Sequence, residues 1–212
     1  MSPRVLGRTA LGVLTLCAFA IFVTFLNRAR PVEQQSGAAS LFPLLATTNA
    51  APEFPDGYSW INTEKPLSLR GLRGKVVLLD FWTYGCINCI HILPDLKKLE
   101  AKYPNELVVI GVHSAKFQNE SDASNIRNAV MRYNISHPVV VDQNMTIWNS
   151  FGVNAWPTFV VIDPNGNIAF MTAGEGNYNA LDSQISRLIS EARRAGKLSE
   201  TPLQFTLAAA QE

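Results

Sequence analysis

Hydrophobic and polar positions fall into three regimes along the chain. From Thr9 to Leu26 (TALGVLTLCAFAIFVTFL) no residue is charged. Eighteen such residues rise about 27 Å as a helix, close to the thickness of a bilayer's hydrocarbon core. A soluble buried helix would show a polar face, and none is present. Residues 28–55 then lose all periodicity, mixing Gln34, Gln35, Ser36 and Gly37 with prolines at 31, 43, 52 and 55, which reads as a flexible tether. From 56 to 196 the pattern switches repeatedly between two periods. Lys75–Phe81 (KVVLLDF) and Leu107–Val112 (LVVIGV) are continuous, β-branched-rich apolar runs, as in strands buried on both faces. Ile92, Leu93, Leu96 and Leu99 recur at helical spacing within Cys89–Tyr103, and Leu181, Ile185, Leu188 and Ile189 do so within Tyr178–Ala195. Asp122–Tyr133 reads as a further helix and Val139–Val141 as a short strand. Thr158–Ile162 and Ile168–Met171 flank Asp163-Pro164-Asn165-Gly166, a strong hairpin turn. This order predicts an α/β sandwich whose sheet is partly parallel with an antiparallel edge, followed by a tail over 197–212.

Charge sharpens the first regime. The formal net charge is +1, yet the only charges before position 31 are Arg4, Arg8, Arg28 and Arg30, which flank the apolar run. A cleaved signal peptide needs small residues soon after its apolar core. Asn27-Arg28-Ala29-Arg30-Pro31 is a poor match, and Asn49-Ala50-Ala51 comes late. Residues 1–27 are therefore expected to be an uncleaved transmembrane signal anchor. The positive-inside rule then puts the N-terminus in the cytoplasm and the body outside it, in the periplasm or on the outer side of the membrane. That body holds 14 basic against 17 acidic residues, and a mildly acidic surface argues against nucleic acid as a partner.

Three cysteines are too few for a disulfide-dense scaffold. Cys17 lies in the apolar run, where a thiol acts as a small hydrophobe. Cys86 and Cys89 stand in DFWTYGCINC (residues 80–89), between a buried strand and a helix start. Backbone N–H groups and the dipole at such a start favour a thiolate at Cys86 and make it the attacking group. Cys89, three residues along the first turn, sits beside it and is placed to close a disulfide. Such a pair exchanges with a substrate disulfide through a mixed disulfide. A zinc site would need a second ligand pair, which is missing. A c-type haem would need His directly after Cys89, where Ile90 stands. Asp80, a carboxylate within an apolar strand, is expected to have a raised pKa and to shuttle protons. Trp82 and Tyr84 either pack or contact substrate. His91 reads as helix surface, His113 and His137 have no evident partner, and Glu175 reads as a turn residue. No cofactor and no metal is expected.

On these residues the sequence resembles the thioredoxin superfamily over about residues 56–195. Val77–Trp82 before the CxxC is similar to the family's strand, with Asp80 where the family keeps a buried carboxylate that accepts the second cysteine's proton. Trp82 occupies the family's tryptophan position, and Pro94 matches the proline that kinks the active-site helix. Trp156-Pro157-Thr158 looks like the cis-proline loop that faces the CxxC. The anchor and the long Lys97–Ala123 region resemble membrane-tethered TlpA/ResA-type proteins. FWTYGCINC looks closer still to the thioredoxin-like domain of NHL-repeat-containing and DipZ-type proteins. No NHL repeat follows, so any propeller is expected to be absent or separate.

The resemblance implies a three-layer thioredoxin-like sandwich, with helices on both faces of a mixed sheet, preceded by one transmembrane helix. It implies catalytic Cys86, Cys89 and Asp80, a Cys86–Cys89 redox disulfide, and substrate alignment by Trp82, Tyr84, Trp156 and Pro157. The activity implied is a membrane-anchored thiol:disulfide oxidoreductase, favoured as a reductase of protein disulfides. In an oxidising compartment it would need a membrane electron donor. Two other readings stay open: a Cu(I) metallochaperone using the thiolates and a histidine, and an interaction module whose CxxC is non-reactive.

Overall fold

The computed structural model describes residues 49–207. The expected anchor over 1–27 and the tether as far as residue 48 lie outside the described residues. Among the described residues no helix is long and apolar enough to cross a membrane.

Six strands form one mixed sheet: β1 (Trp60–Ile61), β2 (Val76–Trp82), β3 (Leu107–Ser114), β4 (Val139–Asp142), β5 (Thr158–Ile162) and β6 (Ile168–Ala173), in the spatial order β1-β4-β3-β2-β5-β6. Strands β2, β3 and β4 run parallel, while β5, β6 and β1 are antiparallel to their neighbours. Every residue of β2 and β3 is buried, as continuous apolar runs require of central parallel strands. Side chains alternate across the sheet. Leu78, Trp82, Val109, Val139, Phe159 and Val161 pack under α2 (Leu93–Lys102), α3 (Ala123–Arg132) and α5 (Tyr178–Arg194). Val77, Leu79, Phe81, Ile110 and Val160 pack on the other face against α4 (Thr146–Ser150), Phe54, Leu69 and Leu72. The expected three-layer mixed sandwich is present.

The helix predicted over Cys89–Tyr103 is two helices, α1 (Ile87–His91) and α2, meeting at Ile92. Pro94 has no N–H and its ring crowds the carbonyl four residues back. The Ile90 carbonyl accepts instead from the Ile92 N–H. Two short elements carry too few residues for a period to show, β1 with two and α4 with five. Helix α4 is held by Asp142, whose carboxylate accepts from the Ile147 and Trp148 N–H groups at 3.1 and 2.9 Å.

Both flanks of the sandwich are tied down where composition suggests only tether and tail. The Ala51 N–H donates to the Gly166 carbonyl at 3.0 Å, Phe54 is buried, and the Glu53 carboxylate accepts from the N–H groups of Leu69 and Arg70. On the other side the buried Lys75 ammonium donates to the carbonyls of Asn105, Ser199 and Thr201. Irregular backbone leaves no periodic trace, so these ties appear only in three dimensions.

Glycine is required at one position of the central strands. Gly111 stands opposite Asp80 in register, and the Trp82 ring covers it: a Cβ there would lie 2.9 Å from Trp82 Nε1 and 3.1 Å from Val139 Cγ2. Gly111→Ala should therefore destabilise the fold by about 1–3 kcal/mol through overpacking, read as a lowered denaturant midpoint. A midpoint equal to the parent's would contradict this packing.

Candidate active site

Strand β2 ends at Trp82, and four residues later the chain enters α1. Within that loop the Cys86 N–H donates to the Thr83 carbonyl at 3.1 Å, and the Cys86 carbonyl accepts from Cys89 and Ile90 at 3.1 and 3.2 Å. Cys86 is thereby the N-cap of α1. The two sulfurs are free thiols in unlike places, Cys86 half-buried and Cys89 fully buried. Burial pushes the Cys89 thiol well above the ordinary range. A hydrogen bond with Cys86 and the negative charge of Asp80 push the same way, against a lowering contact from the Thr83 backbone.

Asp80 lies on the face of β2 shared with Leu78 and Trp82, toward the layer that holds Cys89. It has no exposed surface, and neither carboxyl oxygen has a hydrogen-bond partner among the described residues. Burial alone raises its pKa to about 8. A carboxyl so placed exchanges a proton near neutral pH, as its apolar surroundings in the sequence predict.

The Trp156–Pro157 peptide is cis. Thr158 stands opposite Phe81 in register, so this turn and the Thr83–Cys86 loop leave the same end of adjacent strands. The Pro157 carbonyl accepts from the Gly174 N–H at 2.8 Å. Half-buried Trp156 lies 4.2 Å from Trp148, ring centre to ring centre, and donates from Nε1 to the Ser114 carbonyl. Tyr84, also half-buried, lies in the loop itself.

Trp82 does not meet the expectation of a substrate contact. It is fully buried, over Gly111 and edge-on to His113 at 5.0 Å, so it supports the site from beneath. His113, which has no evident partner in the sequence, finds one here. It is buried, its Nε2 accepts from the Tyr84 N–H at 3.3 Å, and its ring stacks on Tyr84 at 5.5 Å. Burial lowers its pKa to about 4, so the ring is neutral, as an accepting nitrogen requires. Glu120 joins the site without being foreseen. It is buried, and its carboxylate accepts from Thr83 Oγ1 at 2.6 Å. A lone acid in a polar loop carries no sequence signal of burial. His91 is exposed on α1 and pairs with Glu175 at 3.1 Å, so Glu175 does more than turn the chain. His137 is buried beside Glu100, remote from the dithiol in contacts and sequence. Among the described residues no three His, Cys, Asp or Glu side chains are grouped as a metal site.

Comparison with known proteins agrees with this geometry. The thioredoxin-like family profile matches residues 74–168. The chloroplastic protein SUPPRESSOR OF QUENCHING 1 of Arabidopsis thaliana is 51% identical over 162 residues, 76% of this chain and 15% of that protein. NHL repeat-containing protein 2 of Homo sapiens is 45% identical over 161 residues, 74% of this chain and 22% of that protein. The chain thus spans under a quarter of the length of these relatives. The thiol-disulfide oxidoreductase ResA of Bacillus thuringiensis is 30% identical over 124 residues, covering 58% of this chain and 69% of that protein. A crystal structure of a thioredoxin-like superfamily protein superposes with a TM-score of 0.61 at 25% identity, covering 66% of this chain and 95% of the other. The strand, the dithiol and the cis proline all fall within residues 74–168 matched by that profile, and the chain belongs to the thioredoxin-like family.

Proposed function

We propose that the chain is a membrane-anchored thiol:disulfide oxidoreductase acting as a reductase of protein disulfides. One observation carries the reading: a reachable Cys86 beside a buried Cys89 whose proton has a buried, unpaired carboxyl, Asp80, to go to. The Cys86 thiolate attacks one sulfur of a substrate disulfide. That S–S bond breaks, a Cys86–substrate mixed disulfide forms, and the other substrate sulfur leaves as a thiolate that takes a proton from water. The ionised Asp80 then takes the Cys89 proton, and the Cys89 thiolate attacks the Cys86 sulfur. The second substrate sulfur leaves, two electrons have passed to the substrate, and the protein holds a Cys86–Cys89 disulfide.

The backbone around cis-Pro157, with Trp156 and Tyr84, flanks the path a substrate strand would take to Cys86. The charge-free run from Thr9 to Leu26 supports membrane anchoring through residues 1–27, and its flanking arginines support an extracytoplasmic domain. In that compartment the disulfide would return to the dithiol by two electrons from a membrane donor.

The test is reduction of insulin disulfides by the 212-residue chain. Cys86→Ser should abolish turnover, and Cys89→Ser should leave substrate covalently held on Cys86, visible as a band lost on adding dithiothreitol. Turnover surviving Cys86→Ser would overturn the assignment. Asp80 sets a pH dependence for the second step. With its pKa at about 8, the ionised base becomes more abundant as pH rises, so release from the mixed disulfide should speed up from about pH 6, reach half its maximum near pH 8 and level above about pH 9. Asp80→Asn should slow that release by about 100-fold and flatten its rise.

The same shift makes a stability prediction. The folded pKa of about 8 stands above the unfolded value of about 3.9. The stability conferred by the neutral carboxyl is therefore complete below about pH 4 and is lost as pH climbs through about 8. Asp80→Asn should melt on the order of 5 °C higher than the parent at pH 8, with the gap closing toward pH 4. An Asp80→Asn variant less stable than the parent at pH 8 would contradict the unpaired burial.

A further inference from the structure

The connection between β3 and α3 (residues 115–122) touches the loop before Cys86 at three successive residues. Glu120, only 3% exposed, gathers three donors on Oε2: Thr83 Oγ1 at 2.6 Å, the Lys116 N–H at 2.8 Å and the Phe117 N–H at 3.3 Å. Its other oxygen lies against Gly85, where a Cβ would collide with Oε1. The Tyr84 hydroxyl donates to the Asn119 carbonyl at 2.8 Å. Thr83, Tyr84 and Gly85 are thus fixed by one short segment, and Cys86 follows directly. Gly85 is itself exposed, so the glycine is required by the carboxylate behind it and not by a crowded surface.

We propose that Glu120 is a positioning residue of the dithiol: its carboxylate holds the loop that presents Cys86 and keeps a negative charge at the back of that loop. The inference rests on the dithiol reading above. A carboxylate accepting three hydrogen bonds in a buried place is a fixed charge, and a fixed anion disfavours a second anion nearby. Its field reaches its neighbours, raising the pKa of Tyr84 and opposing the fall of His113, though burial is the larger cause at both. Besides Cys86, the titratable groups on the elements that meet this loop are Cys89 and His91 on α1, Asp80 on β2, His113 on β3, Tyr84 in the loop, and Lys116, Glu120 and Asp122 in the connection. Of these, Glu120 is the buried acid in contact with the loop itself.

The test uses the full chain. Glu120→Gln keeps an oxygen for the Thr83, Lys116 and Phe117 donors and removes the charge. Alkylation of Cys86 by iodoacetamide at pH 6, followed on the Cys86 peptide by mass spectrometry, should become about threefold faster, the size expected of one unit charge at several ångström in a largely aqueous field. At pH 10 the two rates should agree. Gly85→Ala, which displaces the carboxylate, should change the pH 6 rate in the parent and leave it unchanged in Glu120→Ala, a coupling that identifies the contact. If Glu120→Gln and Glu120→Ala both alkylate as the parent does, the proposal is overturned, whatever happens to melting temperature. Should Glu120→Ala not fold, the Gln variant alone decides. A parent that fails to reduce insulin while Glu120→Gln still speeds alkylation would overturn the reductase reading and leave the role of Glu120 standing.

Discussion

The constraint on which the site depends is a carboxyl group buried in the centre of the sheet with nothing to bond to among the described residues. Asp80 occupies the middle strand, flanked in register by Gly111 on one side and Phe159 on the other. An unpaired polar group in such a place costs stability, and a site of this kind persists only where its surroundings are over-determined. Both neighbouring strands are fully buried, and apolar layers cover both faces. The carboxyl therefore stays neutral over most of the physiological range, and when it is charged it adds to the burial that already pushes the Cys89 thiol up. The inequality of the two cysteines follows from the same geometry, because the helix that exposes Cys86 at its start turns Cys89 inward onto that strand.

Rigidity around the pair comes from side chains that reach across the sheet's end. His113 can accept the Tyr84 N–H only because burial keeps it neutral. Trp82 fills the space that Gly111 leaves and meets His113 edge-on. A second chain of contacts runs from Asp142, which caps α4 and accepts the Ser114 hydroxyl, through the Ser114 carbonyl to Trp156. The cis-proline turn and the dithiol loop are thus both anchored on β3, one at Ser114 and the other at His113. A site built on adjacent positions of one buried strand keeps its parts in register without needing a deep cavity.

Much of this is legible in the chain. The apolar run 75–81, the CxxC beyond it and the lone carboxylate within it are local signals, and local signals give strand, helix start and reactive pair directly. What stays hidden depends on contacts between distant segments. Glu120 lies far along the chain from Cys86 and reads as an ordinary loop acid until the fold places it under Gly85. His113 looks like any histidine at a strand end. Trp82 departs from expectation for a related reason: closeness in sequence to a reactive cysteine says nothing about exposure, and the last position of a strand covered on both faces is buried whichever face it takes. Residues 49–55 and 197–207 read as tether and tail because irregular backbone has no period, although their ties to Gly166 and Lys75 are as definite as any in the sandwich.

Those two ties share a direction that bears on access to the dithiol. Lys75 precedes β2, and Gly166 lies in the β5–β6 turn. Because β5 runs antiparallel to β2, both points lie at the end of the sheet opposite the Thr83–Cys86 loop. The described flanks therefore join the sandwich at the far end, at residues 49–51 and 199–201, and neither crosses the surface around Cys86 there. Under the proposed reduction of protein disulfides, a half-buried sulfur has to meet a bulky partner and needs that surface clear. Fastening both flanks by backbone carbonyls and N–H groups at the opposite edge keeps it clear without any contribution from the loops that shape the site.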